Sequence, residues 1–124
     1  MLNQGTVVAT IAVRDLAAAQ EFYGDVLGLE ELDQQPGGVV YASGDGRLFI
    51  YESEYAGTNK ATAASWQISD IEPAIRDLKE RGIDFEHYDN IPGVTREGDL
   101  HVAGNMKSVW FKDPDGNILN VTAM

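Results

Sequence analysis

Lys107–Met124, KSVWFKDPDGNILNVTAM, reads as strand, tight turn, strand. Val109 and Phe111 alternate with Ser108, Trp110 and Lys112. Leu119 and Val121 alternate with Ile118, Asn120 and Thr122. Between them, Asp113-Pro114-Asp115-Gly116-Asn117 collects turn formers: the proline ring fixes φ, and glycine takes positive φ without a steric penalty. Period-two patterning on both flanks of such a turn predicts a β-hairpin.

The residues upstream predict what this hairpin joins. Thr6–Val13 is β-branched and reads as a strand, with Val7, Ala9, Ile11 and Val13 on its more apolar face. Asp15 is a good helix N-cap, Leu16, Ala19, Phe22, Tyr23, Val26 and Leu27 recur at helical spacing, and Gly28 closes the helix. Leu29–Asp33, Val39–Ser43 and Arg47–Ser53 follow as strands, with turns at Pro36-Gly37-Gly38 and Gly44-Asp45-Gly46. Glu54–Thr62 is polar and unpatterned, a linker. The order then repeats: strand Ala64–Ile68, N-cap Asp70, a stripe of Ile71, Ile75 and Leu78, closing Gly82, strand Ile83–Tyr88, and the hairpin. Val13-Arg14-Asp15-Leu16 matches Ile68-Ser69-Asp70-Ile71 at an offset of 55 residues, an internal duplication. Asp89–Met106 is left as a long loop: a lid over a pocket, a dimer contact or a mobile connection.

The chain has 124 residues, a formal net charge of −11 from 20 acidic and 9 basic residues, and no cysteine. Disulfides, thiolate metal sites and a cysteine nucleophile are excluded. The acidic field repels nucleic acid and anionic membranes and draws in cationic small molecules, although scattered acids also simply maintain solubility. No apolar run is long enough to cross a bilayer, and MLNQGTVVAT lacks the pattern of a secretory signal. A cytoplasmic protein is the expectation.

Phe22-Tyr23-Gly24-Asp25-Val26-Leu27-Gly28-Leu29 and Trp110-Phe111-Lys112-Asp113-Pro114-Asp115-Gly116-Asn117, set in a duplicated strand–helix–three-strand unit, resemble the vicinal oxygen chelate superfamily. That superfamily covers glyoxalase I, bleomycin-resistance proteins, fosfomycin-resistance enzymes and extradiol dioxygenases. The resemblance extends over about residues 6–123. It implies an α+β fold of tandem βαβββ modules (about 6–53 and 64–123, within a single domain 1–124). These form a cupped mixed β-sheet with helices on the outside. It also implies a homodimer. Such a fold hosts many chemistries and does not by itself name one.

Metal-dependent members place His or Glu ligands on the first and last strand of each unit. Carried over, these positions fall at Val8, Ala63, Asn120 and at or beside Tyr51, with Glu52 the neighbouring possibility. Two of these side chains have no donor, and a carboxamide is a poor substitute for a carboxylate. No metal and no cofactor are therefore expected. His87 and His101 read as exposed or hydrogen-bonded histidines rather than ligands.

Strand alternation supplies the inner face independently. With Val7/Ala9/Ile11, Leu48/Ile50, Trp66/Ile68, Val109/Phe111 and Leu119/Val121 turned to the helices, the opposite faces carry Thr10, Phe49, Tyr51, Ser53, Ser65, Gln67, Trp110, Asn120 and Thr122. Aromatic walls with a few neutral hydrogen-bonding groups describe a small-molecule pocket; they also describe residues that merely fill a concavity. Trp110 and Tyr51 suit stacking on a flat or cationic ligand. Thr58-Asn59-Lys60 gives one cation near the pocket rim, placed to meet an anionic group or, more commonly for such a residue, simply a solvated linker lysine. The expected function is metal-independent binding of a cationic or drug-like small molecule. The alternatives are a metal-dependent lyase or dioxygenase of the glyoxalase type, drawing on Glu52, His87 or His101, and a protein with a vestigial pocket whose surface is what matters.

Overall fold

The computed structural model describes residues Met1–Met124. β1 (Ala9–Val13), β2 (Glu30–Gln35), β3 (Gly38–Ser43) and β4 (Gly46–Glu52) form one sheet in the order β1-β4-β3-β2, with β1 and β4 parallel. The second sheet contains β5 (Thr62–Gln67), β6 (Phe85–Glu86), β7 (Thr95–Glu97), β8 (Leu100–Ala103), β9 (Met106–Lys112) and β10 (Ile118–Ala123). Its order is β5-β10-β9-β8-β7, and β6 also pairs with β9. Helix α1 (Leu16–Gln20) runs on into a π-helical turn, Glu21–Val26, and α2 spans Ile71–Glu80. This is the α+β arrangement of mixed sheets with outer helices.

Local chemistry accounts for most of the elements. Asp15 caps α1 by accepting the Ala18 N–H at 3.2 Å. Asp70 occupies the corresponding extended position before α2, but its side chain makes no cap bond. The wider π turn, with Leu27 N–H on the Phe22 carbonyl at 2.9 Å, allows the consecutive Phe22 and Tyr23 both to be buried. Every residue of the edge strand β2 is exposed, and Glu30, Glu31 and Asp33 charge that edge against pairing with other chains.

Several expectations are corrected. The first strand starts at Ala9 rather than Thr6, because pairing with β4 begins at Ala9↔Leu48. Val7, expected in the core, therefore has no neighbouring strand and is 90% exposed. Ser53 lies just past β4; its N–H bonds the Val13 carbonyl and its hydroxyl accepts from Tyr55 N–H. The strand expected over Ile83–Tyr88 shrinks to Phe85–Glu86, since the edge of β9 is shared. β6 takes Trp110 and Phe111, while β8 takes Met106–Ser108. Asp89–Met106 is not a structureless loop, for it carries the β7–β8 hairpin, which widens the second sheet. Gly98 and Gly104, at φ of 65° and 62°, open the two-residue turns that make this possible. The linker is anchored too: Ala56 is fully buried, and a Cβ on Gly57 would sit 1.9 Å from the Asp115 carbonyl oxygen.

A single core of 15 buried residues draws on both halves. Phe22 meets Phe111 at a ring separation of 6.4 Å, and Trp66 on β5 donates its indole N–H to Ser43 Oγ on β3 at 3.0 Å. The DPDGN turn fastens the halves together. The buried Asp113 carboxylate accepts four hydrogen bonds. Oδ1 takes the Asp115 and Asn117 N–H groups, both at 2.9 Å, and Oδ2 takes the Tyr23 hydroxyl at 2.7 Å and Asn117 Nδ2 at 2.8 Å. The second Asn117 Nδ2 proton goes to the Ala12 carbonyl at 2.8 Å, and Asp115 accepts the Arg14 N–H at 3.2 Å. Burial, followed by the adjacent Asp113 charge, drives the Tyr23 phenol pKa far above its ordinary value, so its proton stays in place as a donor. Tyr23→Phe removes one hydrogen bond to a buried carboxylate and is expected to cost about 1.5–3 kcal/mol. Urea denaturation should show a lower midpoint with an unchanged slope; an unchanged midpoint would mean that the clasp does not bear on stability.

Candidate functional site

Strand register sorts the sequence-derived site residues into two groups. On the first sheet, Thr10 lies opposite Phe49 and Ala12 opposite Tyr51. The rings of Phe49 and Tyr51 stack at 5.9 Å with 6° between their planes. Phe49 lies over Gly38, where a Cβ would come within 2.6 Å of the ring. On the second sheet, Asn120 lies between Ser65 and Trp110, and Thr122 between Gln67 and Ser108. His101 continues this second row, opposite Ser108.

The polar members of the second group are largely bonded to one another. Asn120, 5% exposed, donates from Nδ2 to the Val109 carbonyl at 3.1 Å and accepts from Thr122 Oγ1 at 2.7 Å. Thr122 has a single hydroxyl proton, so the 2.7 Å contact with Ser108 Oγ is one in which Ser108 donates. Asn120 thus acts mainly in holding β9 to β10. Trp110 is different. Its indole N–H is fixed on Thr62 Oγ1 at 3.1 Å, and its ring faces a cleft of about 460 Å³. Thr62, His87, Tyr88, Asn90 and Ile118 are among the residues around that cleft. Its size lies in the range of small-molecule sites. Of the nine residues expected to line one pocket, only Trp110 does so; Ser65 and Gln67 border a separate cleft with Ser43 and Trp66.

Two further residues buttress Trp110: Tyr88, which lines the cleft, and His101, which the sequence reads as an exposed or hydrogen-bonded histidine and which is buried and hydrogen-bonded. His101 is 2% exposed, and its ring meets Trp110 edge-on at 4.8 Å. Tyr88 packs against both, at 5.5 Å from Trp110 and 6.0 Å from His101. Tyr88 N–H donates to His101 Nε2 at 3.0 Å, so that nitrogen must carry a lone pair and the neutral ring holds its proton on Nδ1. His101 Nδ1 and the Tyr88 hydroxyl are both buried without a hydrogen-bond partner. Burial pushes the His101 pKa down; burial, with the nearby Glu86 charge second, pushes the Tyr88 pKa up. The sequence signal that would have placed His101 on a strand lies in Gly98-Asp99 and Gly104-Asn105, two glycine-first turns bracketing Leu100–Ala103.

Ion pairs hold the β7–β8 hairpin over this wall. Arg96 grips Asp89 through Nε at 2.7 Å and Nη2 at 3.2 Å. Asp99 in the hairpin turn meets His87 Nε2 at 2.7 Å and Lys79 of α2 at 2.6 Å. Those hydrogen bonds hold the Asp99 carboxyl below its usual range, the one from His87 foremost, and the Arg96 bond does the same for Asp89.

The residues present do not fit a metal centre of the resembled kind. Val8 and Ala63 have no donor, Asn120 is bonded within the sheet, and no three His, Asp or Glu side chains converge to hold an ion. Glu52 ends β4, His87 is taken up by Asp99, and His101 is bonded to Tyr88. No helix is long and apolar enough to cross a membrane.

Comparison with known proteins agrees with this architecture. The sequence model of the Glyoxalase/Bleomycin resistance protein/Dioxygenase superfamily matches residues 5–121. No curated protein matches the sequence significantly. A glyoxalase family protein from Enterococcus faecalis is similar at 21% identity and a TM-score of 0.71, covering 98% of this chain and 99% of that one. A lactoylglutathione lyase from Agrobacterium tumefaciens is similar at 21% identity and a TM-score of 0.70, covering 96% and 93%. An antibiotic binding protein from Streptomyces sp. CB03234 is similar at 21% identity and a TM-score of 0.68, covering 97% of each chain. At such identities the likeness is one of fold.

The buried, neutral His101 makes stability depend on pH. Its folded pKa lies below the unfolded value of about 6.5, so the unfolded chain takes up the proton first. The stability it allows is complete above about pH 6.5 and is lost as pH falls towards the folded pKa. The thermal midpoint of the wild type should therefore drop between pH 7 and 5.5, and His101→Gln, whose amide oxygen can still accept from Tyr88 N–H, should drop less. Equal slopes for the two proteins would contradict the assignment.

Proposed function

The chain belongs to the glyoxalase/bleomycin resistance/dioxygenase superfamily, and on that footing we propose that it binds a small, ring-bearing, drug-like molecule without a metal ion. The observation that carries this reading is the cleft of about 460 Å³ at Trp110, which has an aromatic wall and neutral polar groups. An indole held by Thr62 and buttressed by Tyr88 and His101 is a rigid stacking surface, so little ordering is needed when a ring settles on it. The donor chemistry at Val8, Ala63 and Asn120 weighs against the alternative of a glyoxalase-type lyase or dioxygenase. The reading takes the chain as a single cytoplasmic domain of two βαβββ modules that pairs as a homodimer. The half-buried Phe49–Tyr51 stack supports the pairing by offering apolar ring surface to a second copy.

Thermal-shift screening of aromatic drug-like compounds beside zinc, nickel and iron salts tests this. The expected result is stabilisation by at least one compound, weakened about tenfold or more in apparent affinity by Trp110→Ala, the scale on which a lost stacking surface is felt. Strong stabilisation by a metal with none from any compound would overturn it.

A further inference from the structure

The charges around the cleft point to the sign of its ligand. Asp89 is its one acidic lining residue, and the bidentate contact from Arg96 already compensates that charge. His87 faces Asp99, which Lys79 also neutralises. Glu86, opposite Trp110 in the sheet, pairs with Lys112 at 3.4 Å. Lys60 is the exception. It lines the cleft beside Thr62 and Trp110, and its ammonium makes neither an ion pair nor a hydrogen bond within the chain. In a protein of net charge −11, the cleft is thus a place where every acid is matched and one base is free.

We propose that the ligand is an aromatic anion, its ring stacked on Trp110 and its carboxylate or equivalent acidic group facing Lys60. This rests on the reading of the cleft as a small-molecule site, and it reverses the cationic ligand that overall charge suggests. The overall field acts at long range and is screened over about 8–10 Å in physiological salt, whereas selectivity is set by charges in contact with the ligand. Thr62 and Asn90 supply neutral hydrogen-bonding groups to the same cleft. A cationic ring at the same place would meet the unpaired Lys60 as a like charge, with no free carboxylate to offset it.

The test uses three probes of matched shape: 2-naphthoate, neutral 2-naphthamide and cationic 2-naphthylmethylammonium. Their binding to the intact protein is followed by NMR through the indole N–H signals of its two tryptophans. The expected order is naphthoate tightest and the ammonium weakest. Lys60→Ala should weaken naphthoate about three- to fivefold, the scale of one exposed ion pair, and leave the amide unchanged. Raising the salt concentration should erode the same advantage. If the ammonium binds as well as the carboxylate, or the carboxylate keeps its advantage in Lys60→Ala, the anion assignment falls while the small-molecule reading stands. If none of the probes moves the Trp110 signal, both fall.

Discussion

A buried carboxylate holds this fold together. Asp113 has no basic partner, and four donors converge on its carboxylate instead, one of them from the opposite half of the chain. The Tyr23 hydroxyl ties the closing hairpin to the π-helical turn that follows α1, and Asn117 carries the tie to the end of β1. Gly57 lets the linker pass close against the same turn. With the turn fixed, the register of β10 is fixed, and with it the order in which Ser65, Asn120 and Trp110 lie across the second sheet. The clasp thus bears on cleft geometry through the register of the hairpin that carries Trp110 and Ile118.

The site has two parts. Ser108, Thr122 and Asn120 pass hydrogen bonds among themselves and hold the strands in place. Beside them in the same sheet Trp110 and His101 form, with Tyr88, an aromatic corner, rigid because each ring meets the other two and because Trp110 and His101 are each held by a hydrogen bond. The corner retains two buried groups without partners, an arrangement that typically costs about 1–3 kcal/mol per group.

The sequence made most of this fold legible because its signals are local. Asp15 as a cap, the Leu16–Leu27 stripe and the two-sided alternation around Asp113–Asn117 all act within a few residues. Misreadings came where the decision was made far away in the chain. Val7 looks like a core residue, but no strand lies beside it. Ile83–Tyr88 looks like a full strand, but β8 occupies part of the edge it would use. Alternation places Trp110, Ser65, Asn120 and Thr122 in one row across the second sheet, but of these only Trp110 borders the cleft. Nothing in the letters of Asn120 says that its amide is occupied by Val109 and Thr122. His101 reads from sequence as an exposed or hydrogen-bonded histidine in a loop; its place against Trp110 was not legible because its strand is only four residues long and lies between two short turns.

The central claim is that a ring stacks on Trp110 with no metal at the site. A crystal structure of the protein, purified without chelator and soaked with 2-naphthoate, tests it most directly when anomalous data are collected on the same crystal. The account predicts planar density against the Trp110 indole and no anomalous peak bonded to protein side chains. An anomalous peak held by side chains of this sheet, or a ligand lodged away from Trp110, would contradict it.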